Sequence, residues 1–236
     1  MARTPIWKSI AGTLSGEISG GLYMPGDKLP TEAQLATRFG VNRHTVRHAL
    51  SHLVEQGIVH TRRGAGAFVA QTPTDYPIGK RVRFHQNVAA AGRTPAKEVL
   101  SVETRLPSSA ERDALDLDPG ALVHVYEGLS LVDGQPIALF RSVFPAARFA
   151  ALPEALRTSG SVTAALRSDG VADYTRASTR LTAKAATATQ ALHLRISEGA
   201  PILRSVSVNV DGEGRAVEYG RTWFAGDRVT LTLDQG

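Results

Sequence analysis

The sequence predicts an α+β protein made of two domains, and three observations lead to this prediction. In residues 1–70, apolar side chains recur at helical spacing in three segments, which are followed by the pattern of a short hairpin. From residue 80 onward, strand-like stretches dominate and short helical stretches interrupt them. Residues 71–79 hold two prolines, one glycine and no apolar periodicity, which is typical of a linker. The predicted boundaries are therefore 1–70, 71–79 and 80–236.

Composition excludes several classes of protein. The chain has 236 residues, of which 42% are hydrophobic, and this is enough for a buried core in each of two domains. It contains no cysteine, so disulfides, thiolate nucleophiles and cysteine-bound zinc are excluded. No leader pattern and no run of about 18 apolar residues is found. We therefore expect a cytoplasmic protein with no membrane partner, and we expect no cofactor and no metal.

The positive charge points to a polyanionic partner. The formal net charge is +5, and a protein this basic commonly binds nucleic acid or another polyanion. Residues 1–75 contain eight Lys or Arg side chains against five Asp or Glu, together with four of the seven histidines. The first domain is therefore the expected place of contact.

The first two helices of this domain are predicted from apolar spacing and from their ends. Residues 6–18 place apolar side chains four apart, and the helix ends at Gly20. Thr31 followed by Gln34 makes a capping box for a short second helix, which ends at Gly40.

A third helix follows at once. It begins after Asn42, which is a good N-cap, and ends before Gly57. Two helices joined by a two-residue gap cross at a steep angle, which is the helix-turn-helix geometry that brings the second helix into a DNA major groove. Residues 58–69 surround a glycine turn and predict a β-hairpin. Together these elements predict a winged helix-turn-helix.

The outer face of the third helix carries residue types that read DNA. Arginine bonds a guanine edge with two hydrogen bonds, threonine offers a hydroxyl and a methyl, and a helix N-terminus favours phosphate. A basic helix face that merely contacts solvent has the same composition, so the order of the three helices and the hairpin carries the prediction. The predicted DNA-binding residues are Thr31, Arg38, Arg43, His44, Thr45, Arg47, Arg62, Arg63, Gly64 and Gly66.

The ordered run from Pro25 to Leu50, continued by residues 53–58 and 62–69, resembles the DNA-binding domain of the GntR family of bacterial transcription regulators. The match covers almost all of residues 6–70. The resemblance implies that Arg43, Thr45 and Arg47 touch the operator and that the turn at Gly64–Gly66 lies along the minor groove. Ala33 replaces a residue that is often arginine in relatives, so that contact is expected to be absent.

The second domain alternates between strands and short helices, with no regular βαβ repeat. Strands are predicted at 97–105, 122–132, 137–143, 202–210, 216–224 and 229–233, and helices at 109–115, 161–170 and 185–194. Ser109 and Ser161 are the expected N-caps of two of these helices. Asp133-Gly134 and Asp211-Gly212 are predicted to be hairpin turns. Antiparallel hairpins with short helices between them predict an α+β domain with a mainly antiparallel sheet.

Residues 133–145 and 217–228 resemble the effector-binding domain of the HutC subfamily of GntR regulators, which has the fold of chorismate lyase. Residues 42–45, 75–78 and 83–87 are most similar to the regulators of phosphonate utilisation. The resemblance implies a repressor that a small anionic effector releases. Because one winged helix gives a small interface, we expect a homodimer that binds a pseudo-palindromic, double-stranded operator.

The effector is expected to be something other than a phosphorylated sugar. Relatives that bind sugar phosphates hold the phosphate with two arginines, and here the matching residues are Gly128 and Ser130, while Phe140 replaces a carboxylate. Arginine or histidine elsewhere would then have to meet an anion, and Glu218 could accept the ammonium of an aminoalkylphosphonate. The predicted effector-binding residues are Arg83, Phe84, His85, Arg141, Ser161, Glu218, Arg221 and Phe224.

Alternative functions stay open at this point. The second domain resembles an enzyme fold, and chorismate-lyase-like catalysis would draw on Ser142 or Ser161 with His85, His124 or His193. None of these forms a recognisable catalytic motif, so we expect no enzyme activity. A regulator of the same subfamily could sense a sugar phosphate or an amino-acid catabolite instead. A nucleoid-type protein without an effector would leave the second domain unexplained.

Overall fold

The structure is a computed structural model that describes residues 5–62, 64–71, 73–79, 88–89 and 92–233. The chain divides into two compact units, residues 1–72 and 73–236, and each is described by itself. Among the described residues, no helix combines the length and the apolar character needed to cross a bilayer.

The first unit contains three helices followed by a two-stranded hairpin, as predicted. The elements are α1 (Ile6–Ser19), α2 (Glu32–Phe39), α3 (Arg43–Glu55), β1 (Val59–Arg62) and β2 (Gly66–Val69). Thr31 and Gln34 form the predicted capping box, and the Asn42 side chain accepts from the backbone N–H of Thr45. Gly40 has the left-handed conformation, with φ of 64°, which lets α2 turn directly into α3.

One face of each helix supplies the core of this unit. Leu14 of α1, Leu35 of α2 and Val46 of α3 are completely buried, and Val59 and Val69 close the core from the hairpin. Burial of each such side chain contributes about 1.5–3 kcal/mol relative to its exposure. Because Val46, Ala49, Leu50 and Leu53 of α3 face inward, the polar residues on the opposite side of this helix face solvent.

The second unit is built on a six-stranded antiparallel sheet. The strand order is β4-β5-β6-β9-β8-β7, and a separate pair joins β3 to β10 in parallel. Its elements are β3 (Thr74–Pro77), β4 (Pro95–Arg105), α4 (Ser109–Leu115), β5 (Val123–Val132), β6 (Gln135–Pro145), α5 (Leu152–Ser159), α6 (Val162–Ser168), β7 (Tyr174–Ala185), α7 (Ala188–Leu194), β8 (Pro201–Asp211), β9 (Ala216–Ala225) and β10 (Val229–Thr232).

Helices cover both faces of the central strands. Side chains from α5 and α6 cluster with Tyr126 and Phe140, whereas side chains from α4 and α7 belong to clusters that contain Val125 and Leu139. Neighbouring residues of a strand point to opposite faces, so Phe140 and Leu139 mark the two sides of the sheet. The second unit has a cavity on the side of Phe140.

The structure departs from the sequence prediction at several elements. Strand β7 and helix α5 are absent from the prediction, because β7 is an edge strand with few buried side chains and α5 has only eight residues. The N-cap of α4 is Ser108 rather than Ser109, and α7 begins after the N-cap Thr187 because Ala185 still belongs to β7. Strand β3 lies inside the segment predicted as a linker, where pairing with the distant β10 outweighs the local proline signal.

Strands β4, β5 and β6 come together closely at Gly128. This residue of β5 lies opposite Phe140 of β6 and Val99 of β4. A Cβ atom at Gly128 would lie 2.5 Å from the backbone oxygen of Glu98 and 2.7 Å from Cζ of Phe140. The aromatic ring therefore occupies the space that any side chain at position 128 would need.

Replacing Gly128 with alanine should destabilise the second unit. We expect Gly128→Ala to lower the free energy of unfolding by about 1–3 kcal/mol, as is usual for overpacking, measured by urea denaturation. Gly212→Ala is the matched control, because no atom lies within 4 Å of a Cβ built there. Equal stability of the two variants would show that the sheet can move apart at position 128.

Candidate DNA-binding surface and ligand cavity

The N-terminal turns of α3 present an exposed basic face. Arg43, His44 and Arg47 are exposed, while Val46 between them is buried. Thr45 is fixed at the start of the helix, since its backbone N–H and its hydroxyl both donate to Oδ1 of Asn42, at 2.8 and 2.9 Å. The helix thus offers two arginines, a histidine and a threonine near its amino end, where helices enter a major groove.

The Arg47 guanidinium is held by a carboxylate from the preceding helix. Its Nε donates to Oε1 of Glu32 at 3.0 Å and its Nη2 donates to Oε2 at 2.7 Å. This contact is a two-point, charge-assisted pair, and the hydrogen bonds from Arg47 hold the pKa of Glu32 below its ordinary value. Glu32 therefore orients Arg47 before any partner is bound.

Arg38 has a similar arrangement on α2. Its Nη1 donates to Oε2 of Glu17 at 3.0 Å, its Nη2 contacts Oε1 of the same carboxylate, and the guanidinium carbon lies 4.9 Å from the ring centroid of Phe39. The pair joins α1 to α2. Arg38 is thereby oriented on the same small unit as Arg47.

The other predicted DNA-binding residues lie at element ends of the same unit. Thr31 caps α2, and Gly64 and Gly66 form the hairpin turn with φ of 76° and 110°. Arg63 lies outside the described residues, and the side chain of Arg62 is likewise not described. The structure thus places all the described residues of this set on α2, α3 and the hairpin.

A cavity of about 420 Å³ lies in the second unit. The sheet and β3 form part of its wall, and the segment from the end of α5 to the start of α6 forms another part. Its basic and acidic lining residues are Lys97, Arg167, Arg176 and Glu218, and the other polar residues used below are Tyr76, Ser130, Ser142, Ser161 and Asn209. With three basic groups and one carboxylate, the described wall favours an anionic ligand.

Glu218 is fixed in this wall by two donors. It is only 9% exposed. Its Oε1 accepts from Oγ of Ser142 at 2.5 Å, and its Oε2 accepts from Nδ2 of Asn209 at 2.6 Å. Nε of Arg176 donates at 3.4 Å to Oδ1 of the same asparagine. The carboxylate, the amide and the guanidinium thus form one connected polar row along β6, β9, β8 and β7.

Lys97 lines the cavity from β4, beside two aromatic rings. Its Nζ lies 5.1 Å from the ring centroid of Phe140 and 6.0 Å from that of Tyr126, within the range of cation–π attraction. Burial lowers the pKa of Lys97 from its ordinary value, and the carboxylate of Glu218 acts against this shift. Burial therefore disfavours the charged form of this lysine, and the neighbouring carboxylate favours it.

Only some of the predicted effector-binding residues reach the cavity. Glu218 and Ser161 line it, and Phe224 supports it from outside, with its ring 5.0 Å from that of the lining residue Tyr76. Burial raises the pKa of Tyr76 to about 12, so its hydroxyl stays protonated. Arg83, Phe84 and His85 lie outside the described residues.

The structure does not bring Arg141 and Arg221 to the cavity. Nε of Arg141 donates to Oε1 of Glu127 at 2.8 Å, and Nε of Arg221 donates to Oη of Tyr219 at 3.1 Å. Both arginines alternate along their strands with residues that do line the cavity, such as Phe140 and Thr222, so they point to the other face of the sheet. Lys97, Arg167 and Arg176 supply the basic groups instead.

Lys97, Arg167 and Arg176 are absent from the predicted effector-binding residues because no local sequence pattern marks them. They lie on β4, α6 and β7, far apart in the chain, and none belongs to a motif used in the prediction. The available signal was strand register: Lys97 lies directly opposite Ser130, one of the two residues that replace phosphate-binding arginines. The predicted hairpin of β5 and β6 could not reveal this pairing, because it requires the third strand, β4.

Two of the three histidines considered for catalysis, His124 and His193, lie away from the cavity wall, and His85 lies outside the described residues. Nδ1 of His124 lies 2.8 Å from Oγ1 of Thr104, and burial lowers the pKa of this histidine. Neither His124 nor His193 is among the described residues that line the cavity. Ser142 gives its hydrogen bond to Glu218, so these residues form no serine–histidine pair.

The two units together define a class of protein. A winged helix-turn-helix with oriented arginines is followed in the chain by a unit with a cavity of small-molecule size. This combination defines a DNA-binding regulator that responds to a small ligand.

Comparison with known proteins identifies the family. The model described as "Bacterial regulatory proteins, gntR family" matches residues 7–69, and the model described as "UTRA domain" matches residues 90–230. The chain therefore belongs to the GntR family of bacterial transcription regulators and carries a UTRA effector-binding domain. The predicted fold class and family are confirmed, and so is a regulatory rather than an enzymatic function.

The relatives and solved structures agree with this assignment. An uncharacterized HTH-type transcriptional regulator of Rhizobium meliloti is 40% identical over 97% of this chain and 94% of its own length. The probable transcriptional regulator PhnF of Escherichia coli is 35% identical over the same shares. The crystal structure of PhnF from Mycobacterium smegmatis has a TM-score of 0.64 and 26% identity, covering 96% of this chain and 99% of that one.

Removing the carboxylate that holds Arg47 should reduce sequence discrimination. We expect Glu32→Gln to lower the ratio of operator affinity to scrambled-DNA affinity about two- to fivefold, which is the scale of an exposed ion pair. Fluorescence anisotropy with the two labelled DNAs measures the ratio. Glu55→Gln, at the exposed C-terminal end of α3, is the control. A higher ratio for Glu32→Gln would mean that Glu32 competes with DNA for Arg47.

Proposed function

We propose that this regulator is a dimeric, cytoplasmic repressor of genes for the uptake or use of phosphonates or related phosphorus compounds, and that a small anionic effector releases it from DNA. The observation that carries the proposal is the cavity, whose described wall has three basic side chains and one carboxylate. The names of relatives support repression, since the Mycolicibacterium smegmatis relative is an "HTH-type transcriptional repressor PhnF".

A phosphonate class is favoured over a phosphorylated sugar by the wall itself. The residues that match the phosphate-binding arginines of sugar-phosphate regulators are Gly128 and Ser130. Gly128 has no space for a side chain, because Phe140 and the backbone of Glu98 fill it. Strand β5 therefore lacks both basic groups that hold the phosphate in those regulators. The basic groups of this cavity, Lys97, Arg167 and Arg176, lie on other elements.

The DNA-binding part of the proposal rests on the first unit. Thr31, Arg38, Arg43, His44, Thr45, Arg47, Gly64 and Gly66, with Arg62 and Arg63, are the proposed operator contacts. Two copies, paired through residues 80–236, would place two α3 helices in successive major grooves of a pseudo-palindromic site. Such a site lies on the chromosome, which is why we propose the cytoplasm as the place of action.

Release is proposed to work through the segment that joins the units, residues 71–79. Strand β3 in this segment pairs with β10, and its Tyr76 lines the cavity. A ligand that moves Tyr76 would therefore move the first strand of the second unit, next to the junction with the first unit, and so change the spacing of the two DNA-binding units. The coupling free energy of such systems is commonly about 1–3 kcal/mol.

Two substitutions should separate the DNA and effector functions. Arg47→Ala should weaken operator binding about 5- to 150-fold, because one base contact contributes about 1–3 kcal/mol, with effector affinity unchanged. Glu218→Ala should weaken the effector response and leave operator binding intact. Anisotropy on labelled DNA from upstream of the protein's own operon, with and without simple phosphonates, inorganic phosphate and sugar phosphates, measures both.

Arg180→Ala, on the edge strand β7, is the matched control for loss of a surface arginine. An equal loss of operator binding in Arg47→Ala and Glu218→Ala would contradict this division of labour. Specific operator binding that no phosphonate releases would remove the proposed effector class and keep the regulator. Equal binding of operator and scrambled DNA would remove the proposed operator recognition.

A further inference from the structure

We propose that Lys97 holds the anionic group of the effector and that Glu218 holds an ammonium group, so that the effector is a small zwitterion with both groups on a short chain. This inference rests on the proposed function, because it concerns the same cavity. It assigns to Lys97, on β4, the role that arginines on β5 have in sugar-phosphate regulators.

Strand register explains how the basic group can change strands. Lys97 and Ser130 are directly opposed on the antiparallel pair β4–β5, and opposed residues place their side chains on the same face, about 4.5–5.5 Å apart at Cβ. A lysine at position 97 therefore reaches the part of the cavity that a basic side chain at position 130 would reach. Ser130, which also lines the cavity, leaves that space open.

Phe140 leaves no space for a basic side chain at position 128 and lies beside Lys97. Its ring lies against Gly128, where a Cβ would be 2.7 Å from Cζ, so no basic side chain can project from position 128. The same ring lies 5.1 Å from Nζ of Lys97. The Phe140 side chain thus excludes a basic group at position 128 and forms the part of the cavity wall next to Lys97.

Lys97 needs a partner that the described residues do not supply. In the described part of the chain, its Nζ takes part in no ion pair and no hydrogen bond, although burial lowers its pKa. Partial burial disfavours the charged form of a lysine that has no partner, and an anionic ligand would supply that partner. Arg167 is exposed and Arg176 is tied to Asn209, so Lys97 is the basic group that gains most from a ligand.

Glu218 and Lys97 line the same cavity. The carboxylate favours the charged form of Lys97, but the two groups form no ion pair within 4 Å in the described structure. Ser142 and Asn209 hold the Glu218 carboxylate in place. A ligand with a positive and a negative end would pair with both groups at once. A simple anion would pair with Lys97 only and would be repelled by the carboxylate of Glu218.

Calorimetry on the full-length protein tests this arrangement. The probes are 2-aminoethylphosphonate, ethylphosphonate and ethanolamine, which carry both groups, the anion alone and the amine alone. We expect wild type to prefer the first over each of the others by about tenfold or more, and Lys97→Met to weaken its binding about 10- to 100-fold, the scale of one charge-assisted hydrogen bond. Lys184→Met, an exposed lysine of β7, is the control and should bind as wild type does.

Moving the lysine across the strand pair gives a second, independent test. The double variant Lys97→Ser with Ser130→Lys returns the basic group to β5, and we expect it to bind 2-aminoethylphosphonate within about tenfold of wild type. Recovery also shows that the loss in Lys97→Met does not come from misfolding. The circular dichroism spectrum of each variant checks the same point.

Several outcomes would overturn the inference. Wild-type affinity in Lys97→Met would remove Lys97 from the site, and equal affinity for ethylphosphonate and 2-aminoethylphosphonate would remove the ammonium subsite at Glu218. Binding of none of the three probes would remove the zwitterion class. Failure to distinguish operator from scrambled DNA is a different result: it would overturn the proposed operator recognition, while the calorimetry would still decide the role of Lys97.

Discussion

The contact between Phe140 and Gly128 determines much of the second unit. Three strands approach each other at this point, and the ring fills the volume above β5 that a side chain would otherwise take. The ring also belongs to the cluster that packs α5 and α6 onto the sheet, and it forms part of the cavity wall. Sheet spacing, helix packing and cavity shape therefore depend on one aromatic side chain, so a change at position 140 would alter all three.

The first unit meets a different constraint, because α3 must serve the core and a partner at the same time. Its buried residues Val46, Ala49, Leu50 and Leu53 follow helical spacing, which leaves only the opposite face for recognition. Glu32 orients an arginine on that face by a two-point contact. The side-chain entropy of Arg47 is thus reduced before DNA arrives, which makes a directional contact to a base edge less costly to form.

The sequence was informative wherever short-range chemistry decides the structure. Thr31 with Gln34, Asn42 and Gly40 fix helix ends through local hydrogen bonds, and Asp133-Gly134 forms the predicted turn with positive φ at both residues. Elements that depend on distant partners were not predictable in this way. Strand β7 has little buried surface of its own, and β3 exists because β10 lies beside it.

In the candidate site, too, residues marked by local motifs could be predicted, and residues placed by distant strand pairing could not. Glu218 and Ser161 were predicted from motif matches, and both line the cavity. Arg141 and Arg221 were also predicted from motif position, but the alternation of side chains along a strand places them on the other face of the sheet. Counting outward from Phe140 and Glu218 would have placed both arginines on the opposite face. Finding Lys97 required the pairing of β4 with β5, which no local pattern specifies.

Lys97 and Glu218 offer an effector two groups of opposite charge in one cavity. A ligand shifts an equilibrium only by the difference between its free energies of binding to the two states. Ser142 and Asn209 hold the carboxylate of Glu218, and burial lowers the pKa of Lys97, so a ligand that pairs with both groups in one state of the protein binds that state more tightly. Tyr76 of β3 belongs to the wall of this cavity, and β3 follows the segment that leaves the DNA-binding unit. A ligand that pairs with Lys97 and Glu218 would therefore also contact β3, the strand next to the junction between the two units.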